Sequence, residues 1–423
     1  MKHKLITIIT ALITTTVVIT TELITLPKSL SQQLQNSQEP FQESQKEFVD
    51  EVWQIVYRQY LDGNFNGHDW QAVRQQYVNR TYKSLPEAQT AIRQMLQKLN
   101  DPLTQFISPE EFKNLQRDPA GVGVGLDVNQ DEKTKSLKII SVLEETPAYN
   151  AGILAGDILI KIDGQNIHGI NPPAARNLLR GASGKPVVLT VLRGKKQLEF
   201  KITREAEQVN PVRYQVDTIS DKKIGYIRLT RFSANAGKEI QQAIKDLEKQ
   251  RVNGYILDLR SNSGGLLFST VEIARMWINK GKIVSIIQRN QIEREQANGR
   301  ALTNKPLVVI VNQGTASGAE ILVGALKDHN RGIVVGSKTL GLNTIQSIRP
   351  LANGSALAVT IAKWLTPKGR DISKTGILPD VVVNVTPDQQ LVMVQKRSFG
   401  TIADPLYSKS QEKLNQLINN NSQ

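Results

Sequence analysis

The sequence predicts an α/β multidomain protein with a helical N-terminal segment, an inserted β-rich module and an α/β core built on a mixed sheet. Three observations predict it. Residues 45–117 place apolar side chains at helical spacing. Residues 119–205 switch to alternating apolar residues punctuated by glycine. Residues 206–400 alternate strand-like and helix-like runs, the pattern of an α/β core. A chain of 423 residues fits two to four domains at roughly 100–200 residues each.

The elements follow in order. Lys2 and Lys4 precede an apolar, threonine-rich run from Leu5 to about Thr21, which is the shape of a secretory signal. No clear small-x-small cleavage site follows, so residues 1–28 read as a signal peptide or an uncleaved anchor. Residues 29–44, rich in Gln and Ser, read as a linker. Residues 45–118 form the helical segment. Phe48, Val49, Val52, Ile55, Val56 and Tyr60 recur on one face, and Ala88, Ile92, Met95, Leu96 and Leu99 on another. Ser108, Pro109 and Glu111 give a helix start. In residues 119–205, strands are expected at Leu137–Val142 and Val187–Arg193, the latter closing the unit, with a helix near Pro173–Leu179. In residues 206–400, Ile224–Leu229, Tyr255–Leu259, Ile333–Val335, Thr344–Ile348 and Ala356–Ile361 read as strands. Leu307–Val311, uninterrupted by polar residues, reads as a fully buried strand. Helices are expected at Ala236–Lys249, Leu267–Ile278 and Thr315–Leu326. Residues 401–423 read as a tail or helix.

Composition narrows the chemistry. The net charge of +14 comes from scattered lysines and arginines. That is a solvated surface or a membrane-facing one; no nucleic-acid motif is present, so no nucleic-acid partner is expected. The absence of cysteine excludes disulfides, thiol nucleophiles and cysteine-ligated zinc. His3, His68, His168 and His329 show neither metal-ligand spacing nor a Ser-His-Asp pattern, so neither metal nor cofactor is expected.

Two sets of motifs carry function. The run Gly121–Val128 with Gly156-Asp157-Ile158-Leu159-Ile160-Lys161-Ile162-Asp163-Gly164 resembles a PDZ domain. Such a groove takes an extended peptide as an added strand. Gly123, Val124, Gly125 and Leu126 would form the loop that meets the peptide's terminal carboxylate, with an apolar groove selecting an apolar terminal side chain.

Three segments of the core resemble the C-terminal processing peptidases, or tail-specific proteases. These are Asp258-Leu259-Arg260-Ser261-Asn262-Ser263-Gly264-Gly265, Asn312-Gln313-Gly314-Thr315-Ala316-Ser317-Gly318-Ala319-Glu320, and Thr339-Leu340-Gly341-Leu342-Asn343 with Gln346. Asp101-Pro102-Leu103-Thr104-Gln105-Phe106, Gly369-Arg370-Asp371-Ile372 and Gly376-Ile377-Leu378-Pro379-Asp380 extend the likeness over about residues 45–415. The resemblance implies a serine–lysine protease core with Ser317 as nucleophile. Gly264, Gly265 and Gly318 would be its oxyanion donors. By local sequence alone, Thr315 or Ser317 reads as a helix cap rather than a nucleophile.

The chain departs from the family at three positions. Ser263 stands where proline is usual, Asn343 where glycine is usual, and Leu342 where the lysine base belongs, 25 residues after Ser317. Gln346, which helps hold that lysine in the family, is present. Leucine cannot take a proton from a serine hydroxyl. Lys368 is the candidate substitute base, since the family is usually small and polar there. Lys338 and Lys363 match lysines that are common in the family, and His329 reads as a surface histidine. The resemblance implies two functions. One is an endopeptidase that binds apolar C-terminal tails of exported polypeptides and cuts near them through an acyl-enzyme. The other is a base-less relative that binds or regulates. Family members act outside the cytoplasm, in periplasm or thylakoid lumen; those of oxygenic photosynthesis trim the tail of a photosystem II reaction-centre protein.

Overall fold

The computed structural model describes residues 45–117, 122–131, 134–206, 210–219 and 221–420. The signal or anchor call on residues 1–28, the linker call on 29–44, and Gly121 lie outside the described residues. No helix among the described residues is long and apolar enough to cross a membrane.

Helices α1 (Gln45–Gln59), α2 (Trp70–Val78) and α3 (Leu85–Gln97) form the N-terminal segment. Asp69 and Ser84 cap α2 and α3 by accepting from first-turn amides. A short strand, β1 (Gln105–Ile107), precedes α4 (Pro109–Arg117). The predicted start of α4 is present as a reciprocal capping box. Glu111 N donates to Ser108 Oγ at 3.3 Å, and Ser108 N donates to Glu111 Oε2 at 2.7 Å.

The β-rich module follows: β2 (Val122–Gly123), β3 (Leu126–Gln130), β4 (Leu137–Val142), α5 (Pro147–Asn150), β5 (Ile158–Ile162), β6 (Gln165–Asn166), α6 (Pro172–Leu179), β7 (Pro186–Arg193), β8 (Lys196–Thr203) and β9 (Glu205–Ala206). Its sheet runs β3-β4-β5-β7-β8, with β6 on β5, while β2 pairs with β9 where the chain enters and leaves. The expectation that Val187–Arg193 closes the unit is corrected. β8 pairs along the whole of β7, from Pro186↔Thr203 to Arg193↔Lys196, and is the true edge. The turn at Gly194, with φ +60°, makes this a tight hairpin.

The core contains β10 (Val212–Ile219), β11 (Lys222–Leu229), α7 (Ala236–Lys249), β12 (Gly254–Asp258), α8 (Leu267–Trp277), β13 (Lys282–Gln288), β14 (Ile292–Gln296), β15 (Leu307–Val311) and α9 (Gly318–Asp328). β16 (Ile333–Gly336), β17 (Thr344–Pro350), β18 (Ala356–Leu365), β19 (Val381–Val382), α10 (Pro387–Lys396) and α11 (Pro405–Asn420) complete it. One sheet runs β10-β11-β12-β15-β16-β19 and is mixed: β10 is antiparallel to β11, and the remaining pairs are parallel. Both faces are covered, which is why β15 has no polar residue. Ile227, Leu229, Leu257 and Val309 pack under α7, α8 and α9. Their neighbours Tyr226, Ile256, Val308 and Ile310 pack under α11. The core therefore runs past the predicted limit at residue 400, because Leu406, Tyr407, Leu414 and Ile418 of α11 cover one face of this sheet.

A second, antiparallel sheet runs β1-β18-β13-β14, with β17 on the other edge of β18. Through it the N-terminal segment joins the core: Phe48, Val52, Ile92 and Phe106 share one cluster with Leu351, Leu357 and Val359. Phe106 meets the edge of Phe48 at 5.9 Å and lies under Arg93 at 4.9 Å. Phe106→Ala is expected to cost about 3–5 kcal/mol, the range for truncating a buried aromatic. Guanidinium unfolding followed by tryptophan fluorescence measures it; a loss below about 1 kcal/mol would mean that the helical segment does not depend on β1.

Candidate active site

The site is built where β15 ends and α9 begins. Thr315 is buried; its hydroxyl donates to Leu259 O at 2.9 Å and accepts from Asn312 N at 3.0 Å. It pins the turn to the end of β12 and is not the cap of α9. The helix starts at Gly318 rather than Thr315, and Ser317 is its N-cap residue. Ser317 has φ 50° and ψ −118°, a backbone conformation unfavourable for a side chain with a Cβ. Such strain persists only where surrounding contacts enforce it.

Glu320 is the enforcing contact. Its carboxylate is fully buried, yet four donors converge on it. Oε1 accepts from Thr339 Oγ1 at 2.5 Å and Gly341 N at 2.7 Å. Oε2 accepts from Ser317 N at 3.0 Å and Leu342 N at 2.9 Å. One oxygen thus holds the backbones of residues 317 and 342 side by side. Sequence reasoning gave Glu320 no role, although Ser317-x-x-Glu320 has the same capping-box spacing as Ser108 and Glu111.

The oxyanion candidates separate. Gly264 lies directly against Ser317: a Cβ there would come within 2.8 Å of both Ser317 Cβ and Gly318 N. Its own N–H, however, donates to Asn262 Oδ1 at 2.9 Å. Gly264 therefore serves by its lack of a side chain and is corrected as a donor. The N–H groups of Gly265 and Gly318 donate to no acceptor among the described residues. Gly265, at φ +142°, is pressed on the Phe232 carbonyl, which a Cβ would meet at 2.3 Å. Amides left without an acceptor beside a helix N-terminus are chemically suited to a negative charge.

Leu342, at the position the resemblance gives to a base, is half-buried, and Gln346 lies on β17, exposed, with its amide donating to Thr344 Oγ1 at 3.3 Å. Asn343 is buried and donates to Asp371 Oδ1 at 2.9 Å and Trp364 O at 3.3 Å, anchoring the loop to β18. Lys368 is ruled out as a substitute. Its N–H is held by Asp328 Oδ2, at the C-terminal end of α9. That end is about 15 Å along the helix from Gly318, beyond the reach of a lysine side chain. His329 sits at the same end, its Nε2 on Lys282 O at 2.7 Å. Lys363 is paired with Asp371 at 3.2 Å.

In the β-rich module, Val124 and Leu126 are buried, and Gly125 has φ +80° and lies against Thr146, which a Cβ would overlap at 2.2 Å. The carbonyls of Val124 and Gly125 accept from Ala148 N and Leu143 N at 2.8 Å. The N–H groups of Val124 and Gly125 donate to no backbone carbonyl of the described residues. Among the described residues β3 pairs only with β4, and its other edge, toward α6, pairs with no strand.

The module is docked on the active-site turn. Ser263 Oγ donates to Asp127 Oδ2 at 2.6 Å, Ser141 Oγ to Ser261 O at 2.6 Å, and Lys138 Nζ to Gln313 Oε1 at 3.1 Å. Asp127 and Ser141 were not singled out from the sequence, because contacts across more than a hundred residues leave no local pattern.

Comparison with known proteins identifies both parts. Residues 223–383 match the model of peptidase family S41, and residues 138–193 match a PDZ domain. A carboxyl-terminal-processing protease from Synechocystis is 41% identical over 86% of this chain and 84% of that protein. The chloroplastic carboxyl-terminal-processing peptidase 2 of Arabidopsis thaliana is 39% identical over 78% of this chain and 67% of that protein. The solved structure of a photosystem II D1 C-terminal processing protease superposes with a TM-score of 0.77 at 34% identity, covering 86% of this chain and all of that one.

Burial pushes the Glu320 carboxyl up to about 7, against the pull of its four donors. A carboxyl raised above its unfolded value stabilises the fold below that value, and the contribution is lost as pH rises through the folded one. The stability of the natural chain relative to Glu320→Gln is therefore expected to fall by about 3 kcal/mol between pH 4.5 and pH 7, then level off. Chemical denaturation across that range checks it. A difference that stays flat, or rises, would mean that Glu320 is ionised throughout.

Proposed function

The chain belongs to the carboxyl-terminal-processing proteases of peptidase family S41, and we propose that it is a serine-type endopeptidase of strongly reduced turnover, fed by its PDZ domain. The PDZ domain takes apolar C-terminal tails of exported polypeptides as a strand along β3, with the terminal carboxylate at the Val124 and Gly125 amides. The observation that carries the reading is the assembled turn: Ser317 held by Glu320 beside the paired amides of Gly265 and Gly318. Ser317 Oγ bonds to the scissile carbonyl carbon, the C–N bond breaks, and the hydroxyl proton ends on the leaving amine. Water then cleaves the ester. The amides stabilise the oxyanion in both steps.

What this site lacks is a group to move that proton. A general base contributes about 10²–10⁴-fold, and Leu342 supplies none of it. Oxyanion stabilisation and binding alone leave a rate above that of water. A second reading rests on the same Leu342: a protein that captures tails and does not cut them. Placement outside the cytoplasm is part of this reading, supported by the basic and apolar N-terminus of the sequence and by the chloroplastic relatives.

Residues 30–423 would be assayed against an unstructured peptide with an apolar C-terminus, alongside Ser317→Ala and Leu342→Lys. Slow cleavage abolished by Ser317→Ala and accelerated about 10²–10⁴-fold by Leu342→Lys is expected. No cleavage by the natural chain above the Ser317→Ala background establishes the second reading. A Leu342→Lys variant no faster than the natural chain would sink the assignment of the base position.

A further inference from the structure

Helix α6 of the PDZ domain stands beside the edge of β3 that pairs with no strand. Ala175 and Leu179 hold its inner face in one cluster with Leu126 and Val128 of β3. Its C-terminal end is held as well. Arg204 donates to Leu178 O and Leu179 O at 3.0 Å, and Gly181 N donates to Val122 O at 3.2 Å. The end of α6 therefore lies beside the loop that carries the Val124 and Gly125 amides.

Two arginines of this domain are fully engaged. Arg193 is paired with Asp157 at 2.7 Å, and Arg204 donates to three carbonyls. Arg176, half-buried on α6, makes no side-chain hydrogen bond and no ion pair among the described residues. None of its nitrogens is sealed from solvent without a partner, so an incoming acceptor can reach them. The guanidinium is within electrostatic reach of Asp127 on β3 and therefore stands at the gap between helix and strand. Asp127 forms no ion pair with it; its Oδ2 accepts from Ser263 at 2.6 Å.

The surroundings of Arg176 favour a further negative charge. Burial draws its pKa below the usual arginine value; Asp127 opposes this and Arg180 adds to it. Two guanidiniums and one carboxylate leave the place net positive. An anion in the gap would offset both the lost hydration and the repulsion from Arg180. A helix of 8 residues is about 12 Å long and a strand rises about 3.3 Å per residue, so α6 flanks about four residues of an added strand.

We propose that Arg176 makes the PDZ groove selective for acidic tails: it pairs with an Asp or Glu side chain within about four residues of the apolar C-terminal residue. Arg176 acts in this way only if tails pair with β3, as proposed above. The terminal carboxylate and the acidic side chain are then read at separate places, the first by the loop amides and the second by the guanidinium. A neutral tail leaves Arg176 partly desolvated and unpaired, and a basic tail is repelled, so selection works by both attraction and penalty.

Fluorescence polarisation with the Ser317→Ala form of residues 30–423 tests this without cleavage. The probes are short labelled peptides ending in valine, with glutamate, glutamine or lysine placed in turn at the penultimate position and the two before it. At one of these positions glutamate is expected to bind about tenfold more tightly than glutamine, as one charged hydrogen bond gives, and lysine more weakly than either. Raising the salt from about 0.05 M to about 0.5 M should narrow the gap. Arg176→Gln should close it, and Arg176→Lys should keep part of it. Equal binding of all three side chains at every position, with amidation of the C-terminus still weakening the peptides, overturns the role of Arg176 and leaves tail capture standing. A glutamate preference that survives Arg176→Gln overturns it too. Peptides that do not bind, or that bind equally well when amidated, overturn tail capture itself and Arg176 selectivity with it.

Discussion

The active site hangs on one buried carboxylate. Glu320 has no access to water, and an uncompensated charge there would be prohibitive. It is compensated by four donors from two segments, the nucleophile turn and the loop at Thr339–Leu342. Three of the four are backbone N–H groups. The arrangement is therefore blind to which side chain stands at 342. The loop is positioned by its amides, and leucine at 342 leaves them intact. A base could be lost from this scaffold without the nucleophile turn relaxing.

The same turn is braced from the other side by the PDZ domain. Ser261 O accepts from Ser141, Ser263 donates to Asp127, and Gly314 is pressed so closely on Ile140 O that a Cβ would stand 2.1 Å from it. The Ser263 contact depends on this chain's own sequence, because the proline usual in the family has no hydroxyl to donate. Asp127 belongs to β3, so any shift of that strand shifts the Ser263 contact with it.

Much of this was legible in the sequence where a single local rule governed. Ala236–Lys249 and Leu307–Val311 run between the predicted limits because period and burial agree there. The start of α9 was misplaced by three residues because Thr315 has the chemistry of a cap, and only the fold shows that Leu259 O takes its hydroxyl. Gly264 read as an oxyanion donor because its position was right; the Asn262 side chain that engages its amide lies two residues away but folds back only in three dimensions. Lys368 looked available because sequence gives no distance, whereas α9 itself is the ruler that excludes it. Residues 401–423 left tail and helix open; α11 is fixed by the sheet it covers.

The three departures from the family share a physical character. Leu342 replaces a titratable group with one that needs no water or partner in a half-buried position. Asn343 replaces a glycine with a buried amide that bonds Asp371 and Trp364. Ser263 replaces a ring without a donor by a hydroxyl bonded to the PDZ domain. Each change adds or keeps a holding contact, and the first removes a chemical one. Buried polar contacts of this kind are costly unless satisfied, and here they are satisfied. A site decaying without constraint would accumulate unpaired polar groups around Ser317, whereas this one has gained partners. The balance of contacts therefore points to a turn whose holding contacts are complete with leucine at 342.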